Sequence, residues 1–462
     1  MSTMLIQLYH KLPPSMRMVA ASIEGYKLRR RRYGAGFEQC VAMIRARQSW
    51  TRSDWQVYQQ TRLASMLDWA AQHVQHYRQH FDHAGMHKDW HILSNWPVLE
   101  KNILREQPLD FVADECNIRT LIRVYTSGTT GTPLQILRSR RTEQTWYAMF
   151  EVRVRNAYGV HWRDRWAILG GRLVAPVTQA TPPFWIMNHG MNQLYLSSYH
   201  LNHRFAQAYL QALSVYQPAY FLGYTSALYT LAQFILETGC STIRPKVVIT
   251  NAEPVYDHQR EVITEAFGCP IVETYGMTEM GTAGVRCKYG YYHLWPDLGY
   301  VELLSDAGKP VQSGEIGHVV CTTLLNRDQP LIRYRTGDLA IGMPETFVCP
   351  CGNTMPVLAQ LEGRCDDVIV TRDGRTVGRL DPVFKMGLNI REAQIVQKSV
   401  EHVVIRFVPD VGYSDTDGQH LRQSLQARIG ACHIALEPVE HIERTRSGKF
   451  QAVVSEVGRG SS

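Results

Sequence analysis

Between Phe205 and Gly276 the chain alternates two kinds of apolar spacing. The stretch "FAQAYLQALSVY" repeats its apolar positions every three or four residues, as a helix with one buried face does. A short apolar run, "AYFLGY", follows it. The helical "SALYTLAQFILETG", the strand-like "KVVIT", the helical "HQREVITEAFG" and the strand-like "IVETYG" come next. Strands alternating with helices of this length predict right-handed crossover units on a parallel sheet. Ligands of such sheets bind beyond the carboxyl ends of the strands. Two segments sit just past such ends: "NAEP" (Asn251 to Pro254) and "YGMTE" (Tyr275 to Glu279).

Other regions follow other patterns. Trp55, Tyr58, Arg62, Met66, Ala70, Val74 and Tyr77 fall at helical spacing, and Ser53 is the expected cap of that helix. Between Tyr300 and Gly342, short strands with glycine-rich turns ("YVELLSDAG", "GHVVCTTLL", "LIRYRTGDLAIG") predict an antiparallel subdomain. After "LEGRCDD" (Leu361 to Asp367) a compact segment mixes strands and helices. The expected architecture is therefore α/β: a large N-terminal domain, 1–361, and a small α+β C-terminal domain, 362–462.

Composition narrows the class. The chain has 462 residues, 45% apolar and 20% charged, as in ordinary soluble globular proteins. It has no apolar stretch long enough for a membrane helix and no recognisable signal peptide, so a cytoplasmic location is expected. Net charge is +7, with a local run "KLRRRR" holding Lys27 and Arg29 to Arg32. That run reads as a solvated helix end or as a patch for anionic membrane. Sparse aromatic interleaving argues against nucleic acid. Ten cysteines in such a chain do not suggest a disulfide framework.

One stretch carries the first chemical signal. "YTSGTTGTPL" packs Thr126, Ser127, Gly128, Thr129, Thr130 and Gly131 together. Its glycines let consecutive N–H groups face an anion, and its hydroxyls add donors without fixed charge. It has no lysine of the Walker type.

Together with four further motifs, this loop resembles the phosphate loop of the adenylate-forming superfamily of acyl-CoA synthetases. The others are "ETYGMTEMG", "IRYRTGDLA" (Ile332 to Ala340), "LEGRCDD" and "RTRSGKFQ" (Arg444 to Gln451), in family order. Leu134 departs from the usual lysine or threonine after the loop proline. Within the superfamily the chain is most similar to the phenylacetate–CoA ligase-like branch and its capsular-polysaccharide, CapK-type members.

The resemblance implies ATP-dependent activation of a carboxylic acid as acyl-AMP, with pyrophosphate release and a mobile C-terminal domain. Thr126 to Gly131 would hold the β- and γ-phosphates. Thr278 and Glu279 belong to the motif at which Glu279 would help hold Mg²⁺. Tyr275 and Gly276 would face adenine, with the backbone of Ala252, Glu253 and Pro254 reading its edge. Asp338 suits the ribose hydroxyls. Lys449 would meet the developing charge at the α-phosphate. Arg364 and Asp366 would lie at the hinge between an adenylating and an acyl-transferring pose.

Four more residues suggest a second site. Cys287 and His293 in "RCKYGYYH", with Cys349 and Cys351 in "VCPCGN", match a closed tetrahedral zinc set; two unrelated thiol pairs are the alternative. Some phenylacetate–CoA ligase-like proteins resemble this in carrying a Cys/His zinc cluster. Phe221, Gly223 and Tyr224 are expected near an aromatic or apolar acid pocket. Coenzyme A is the implied acceptor. An amine, a hydroxyl or a carrier protein stays open as acceptor, in surface-polysaccharide or secondary-metabolite assembly, and so does a monomer or homodimer. A nucleotidyltransferase and a non-catalytic nucleotide-binding scaffold are the rivals from other classes.

Overall fold

The computed structural model describes residues 8–83, 89–126, 134–176, 178–364, 369–372, 376–377, 389–444 and 450–457. Two short strands, β1 (Ile122–Tyr125) and β2 (Gln135–Arg138), form an antiparallel hairpin of their own. The next twelve strands are β3 (Trp166–Gly170), β4 (Trp185–Asn188), β5 (Gln193–Ser197), β6 (Tyr220–Tyr224), β7 (Val247–Asn251), β8 (Ile271–Gly276), β9 (Ala283–Arg286), β10 (Tyr292–Leu294), β11 (Gly299–Leu304), β12 (Ile316–Thr323), β13 (Tyr334–Gly342) and β14 (Val357–Arg364). They make one ladder in the order β11-β12-β13-β14-β10-β9-β8-β7-β6-β3-β5-β4.

The expected parallel core is β5-β3-β6-β7-β8. The expected antiparallel strands do not stand apart from it. Residues 271–273 of β8 pair with β7 in parallel, and residues 274–276 of the same strand pair with β9 in antiparallel. One strand thus serves both halves and ends at the Tyr275–Gly276 pair.

Helices α3 (Ala206–Tyr216), α4 (Thr225–Thr238) and α5 (Asp257–Phe267) cover the parallel part, as their spacing predicts. Tyr209, Leu213, Leu228, Leu231, Ile263 and Phe267 are fully buried and share a cluster with Phe221. Truncating Phe267 to alanine would cost about 3–5 kcal/mol.

The smaller C-terminal sheet contains β15 (Ile390–Ser399), β16 (His402–Pro409), β17 (His433–Pro438) and β18 (Val453–Ser455), in the order β17-β16-β15-β18. Helix α6 (Asp415–Ile429) packs Leu421 and Leu425 on Ile395 and Ile405. Strand β14 of the large ladder runs through Glu362 to Arg364.

At the N-terminus lie α1 (Pro14–Arg32) and α2 (Arg52–His73). The cap of α2 is Thr51, not Ser53. The Thr51 hydroxyl accepts from the Asp54 amide, and Asp54 accepts from the Thr51 N–H at 2.8 Å, a reciprocal box that Ser53 cannot form from inside the first turn. The helix stops at His73 because Val74 bridges Ala113; Tyr77 lies in the next helix, Gln75–His83.

The basic run also divides. Glu143, fully buried, sits 2.8 Å from Arg31 Nε and 3.5 Å from Arg32 Nε. Arg29 lies over the Trp162 ring. Lys27 and Arg30 are exposed. Most of the run is therefore a structural anchor, since a buried carboxylate needs cationic partners.

Candidate active site

The motif segments gather where the strand-end rule places them. Asn251 ends β7, and the next residue, Ala252, has φ of +63°. Met280, directly after Glu279, has φ of +57°, and Arg333, in the "IRYRTGDLA" segment, has φ of +50°. Left-handed backbone at non-glycine residues costs of order 1–3 kcal/mol and gathers at functional sites.

Each side chain in these turns has a definite partner. Tyr275 donates its hydroxyl to Asp338 at 2.8 Å. Burial, then the Asp338 carboxylate, push the Tyr275 phenol well above its ordinary pKa. The ring is thus fixed by the carboxylate expected on ribose. Asp338 receives further order from its own N–H, which donates to the Thr336 hydroxyl at 3.0 Å. Directly across the ladder from Asp338, in register, stands Arg364.

Glu279 is buried and accepts from the Tyr334 hydroxyl at 3.0 Å, with Lys101 Nζ 3.9 Å away. Thr278 is half-buried in the same turn. That turn is seated by close approach: a Cβ on Gly281 would meet Cys321 Sγ at 2.1 Å, and one on Gly299 would meet the Gly281 carbonyl at 1.8 Å. Sequence reasoning missed Tyr334 and Lys101. Tyr334 stands inside a quoted motif and could have been flagged; Lys101 has no local signal.

Glu253 does more than present its backbone. Its carboxylate accepts from the Ser226 N–H at 2.8 Å, at the start of α4, and from the Phe450 N–H at 2.7 Å. Burial raises its pKa from the ordinary value, while those donors and Arg444 pull it back. The residue that follows Lys449 is thereby tied to the "NAEP" loop. Pro254 is exposed beside it.

Thr126 closes the base of the glycine-rich loop: its N–H donates to the Leu134 carbonyl at 2.9 Å, and its hydroxyl accepts from the Leu134 N–H at 3.0 Å. Leu134 is fully buried with Ile136, Phe111 and Tyr334. Its side chain belongs to the core, which explains the apolar residue there. Ser127, Gly128, Thr129, Thr130, Gly131, Asp366 and Lys449 lie outside the described residues, as does the side chain of Arg364.

A family model of AMP-binding enzymes matches residues 61–341, and one of the CapK C-terminal domain matches 369–456. This chain belongs to the AMP-binding enzymes. More closely, this AMP-binding enzyme is an AMP-forming ligase of the adenylate-forming, phenylacetate–CoA ligase-like and CapK-type branch. Protein CapK of Staphylococcus aureus is 23% identical over 382 residues, 79% of this chain and 80% of that protein. Phenylacetate-coenzyme A ligase of Escherichia coli (strain K12) is 26% identical over 339 residues, 69% of this chain and 72% of that protein. A solved structure, 2-hydroxyisobutyryl-CoA ligase in the postadenylation state in complex with R3-HIB-AMP, matches in fold at a TM-score of 0.65 and 22% identity, covering 87% of this chain and 89% of that one.

A second cluster of this AMP-binding enzyme lies where the β9–β10 hairpin meets the loop before β14. The ligand atoms of Cys287, His293, Cys349 and Cys351 all lie within 4.8 Å of one another. Cys287 and Cys349 sulfurs are 3.8 Å apart, and Cys351 Sγ is 3.2 Å from His293 Nε2. Two thiolates on one tetrahedral zinc at about 2.3 Å each would stand about 3.8 Å apart, so the donor set and spacing fit that ion.

The three residues expected near the acid pocket differ in their surroundings. Phe221 is fully buried against Phe267, with ring centroids 5.0 Å apart, and is core. A Cβ on Gly223 would meet the Leu169 carbonyl at 2.5 Å, so that glycine serves strand packing. Tyr224 alone of the three is partly open, and it joins a polar ring around Gly170 and Gly171. Tyr199 donates to the Gly171 carbonyl at 3.1 Å, and Ser198 to that of Gly170 at 3.2 Å. The paired glycines after the apolar "WAIL" were the signal for that ring.

Proposed function

We propose that this ligase activates a carboxylic acid with ATP and passes the acyl group to coenzyme A. The observation that carries the proposal is the convergence of the Tyr275–Asp338 pair, Glu279 and the Glu253–Phe450 contact at the ends of β7 and β8 and on β13. The substrate carboxylate attacks the α-phosphorus; the new P–O bond forms as the bond to the β-phosphate oxygen breaks, and pyrophosphate leaves. The protein's part is positioning and charge neutralisation.

In this reading Asp338 receives the ribose hydroxyls and holds Tyr275 at the adenine. The Ala252–Pro254 backbone reads the base edge. Thr126 to Gly131 cradle the outer phosphates. Glu279, an oxygen donor in a strained turn, would hold the magnesium of the nucleotide, which neutralises phosphate charge when bound. Thr278 orders that turn, and Lys449 serves the α-phosphate. Arg364 and Asp366 form the swivel between a large unit and a small one, which the register of Arg364 beside Asp338 supports. Cys287, His293, Cys349 and Cys351 would hold a structural zinc that braces two loops. Tyr224 and the ring around Gly171 would receive the acid.

Coenzyme A as acceptor draws on the similarity to phenylacetate-coenzyme A ligase; a role in surface-polysaccharide assembly draws on the similarity to CapK. A cytoplasmic setting draws on the membership of the AMP-binding enzymes. The test is pyrophosphate release from MgATP across a panel of carboxylic acids, with and without coenzyme A. Acid-dependent release that coenzyme A accelerates is the expected result. Release with no acyl thioester formed would overturn the acceptor, and ATP binding with no release for any acid would overturn the activity.

A further inference from the structure

Helix α1 has two faces of opposite character. Its inner face is locked to the edge of the large sheet. A Cβ on Gly190 would meet Tyr26 N at 2.3 Å and the Ser22 carbonyl at 2.7 Å, so helix and loop backbones touch. Arg17, buried, donates to the Val174 carbonyl at 3.3 Å and to Gln179 Oε1 at 3.0 Å. The Ser22 hydroxyl accepts from the His189 N–H at 3.1 Å. With these contacts the helix cannot roll, and its outer face is fixed.

That outer face carries Met16, Val19, Ile23 and Tyr26, exposed by 53%, 55%, 53% and 52%. At about 100° per residue these four span roughly an 80° stripe. Exposed apolar residues are ordinary when scattered, but four in one stripe of a fixed helix are not. Lys27 and Arg30 project within or beside the same arc, and both are exposed. The helix has a single acid, Glu24, which lies 3.9 Å from Lys27. Just before the helix, Lys11 and Leu8 are exposed as well. Among the described residues no helix is long and apolar enough to cross a membrane.

We propose that the outer face of α1 docks this enzyme on an anionic membrane surface, with Met16, Val19, Ile23 and Tyr26 entering the headgroup–acyl boundary and Lys27 and Arg30 meeting lipid phosphates. The choice of a lipid surface over a protein rests on charge: an apolar stripe flanked by cations is the arrangement of helices that lie in a membrane interface. Arg31 and Arg32 of the same basic run are not docking groups, because Glu143 engages both. The proposal is independent of which acid or acceptor the enzyme uses.

Vesicle co-sedimentation of the full chain tests it. The probes are phosphatidylcholine vesicles and vesicles with 30% phosphatidylglycerol, at low and high salt. Binding is expected on the anionic vesicles only, weakened by salt. Met16→Ser/Val19→Ser/Ile23→Ser and Lys27→Glu/Arg30→Glu are each expected to lower the partition coefficient about tenfold or more. Circular dichroism melts of both variants serve as the fold check, since all five positions are exposed. No binding to anionic vesicles would overturn the proposal. So would unchanged binding by the serine variant. A stripe that instead holds two copies together would show as a wild-type dimer that the serine variant dissociates without any vesicle effect, and that result would overturn it too.

Discussion

Two loop clusters hang on the antiparallel half of the large sheet, and they are held by different means. The turns proposed to meet the nucleotide are secured by packing and hydrogen bonds: Gly281 is pressed on Cys321, Glu279 accepts from Tyr334, and Tyr275 is tied to Asp338. The Cys/His corner has four ligand atoms crowded together, with Cys287 partly open and Cys349 buried. The first cluster is held in place by its own contacts. The second, on the proposed assignment, would gain its cohesion from an ion. Damage to the first should therefore appear in catalysis with little loss of stability, and damage to the second in stability first.

The sharpest way to break this contrast is Lys449→Ala. Pyrophosphate release is expected to fall by roughly 10²–10³-fold with an unchanged melting temperature, because the role proposed for the lysine is to meet developing charge. A matching fall in melting temperature would erase the distinction. Asp338→Asn comes next: it keeps the size but halves the acceptors for ribose, and KM for ATP should rise about tenfold, for a loss of about 1.4 kcal/mol. Tyr275→Phe should give a smaller rise in the same constant, checked by the same steady-state titration.

Chelation, or Cys349→Ser, probes the other side. Metal analysis should find one zinc per chain in the wild type and none in the variant, with a melting temperature lower by on the order of 5 °C. Zinc-free protein with the wild-type melting curve would remove the bracing role. The smallest effect concerns Glu253. Burial raises its pKa in the folded state, so the folded chain holds that proton more tightly than the unfolded one. Stability should then fall as pH rises from about 4.3, the ordinary glutamate value, through the raised one. Glu253→Gln should flatten that slope in pH-dependent melts.

Much of this was legible before any coordinates. The alternation from Phe205 to Gly276 predicted the parallel strands because strands buried on both faces are short apolar runs bounded by turns. The motif turns followed from the strand ends. What stayed hidden depended on distant partners or on direction. Glu143 stands more than a hundred residues from the arginines it binds, so "KLRRRR" read as surface. Strand alternation separates Phe221 from its neighbours but does not say which face is core. Thr51 and Ser53 are both good caps, and only the return bond from Asp54 decides between them. Residues 271–276 gave no sign that one strand would change partners midway.

Leu134 has a consequence for anyone exchanging parts among these enzymes. The position reads in the sequence as part of the loop, yet here it is a peg driven into the hydrophobic interior beside Phe111 and Tyr334. A lysine transplanted from a relative would bring a charge into that apolar interior, where burying it is costly. A chimera that imports another enzyme's phosphate loop must import the floor beneath it as well.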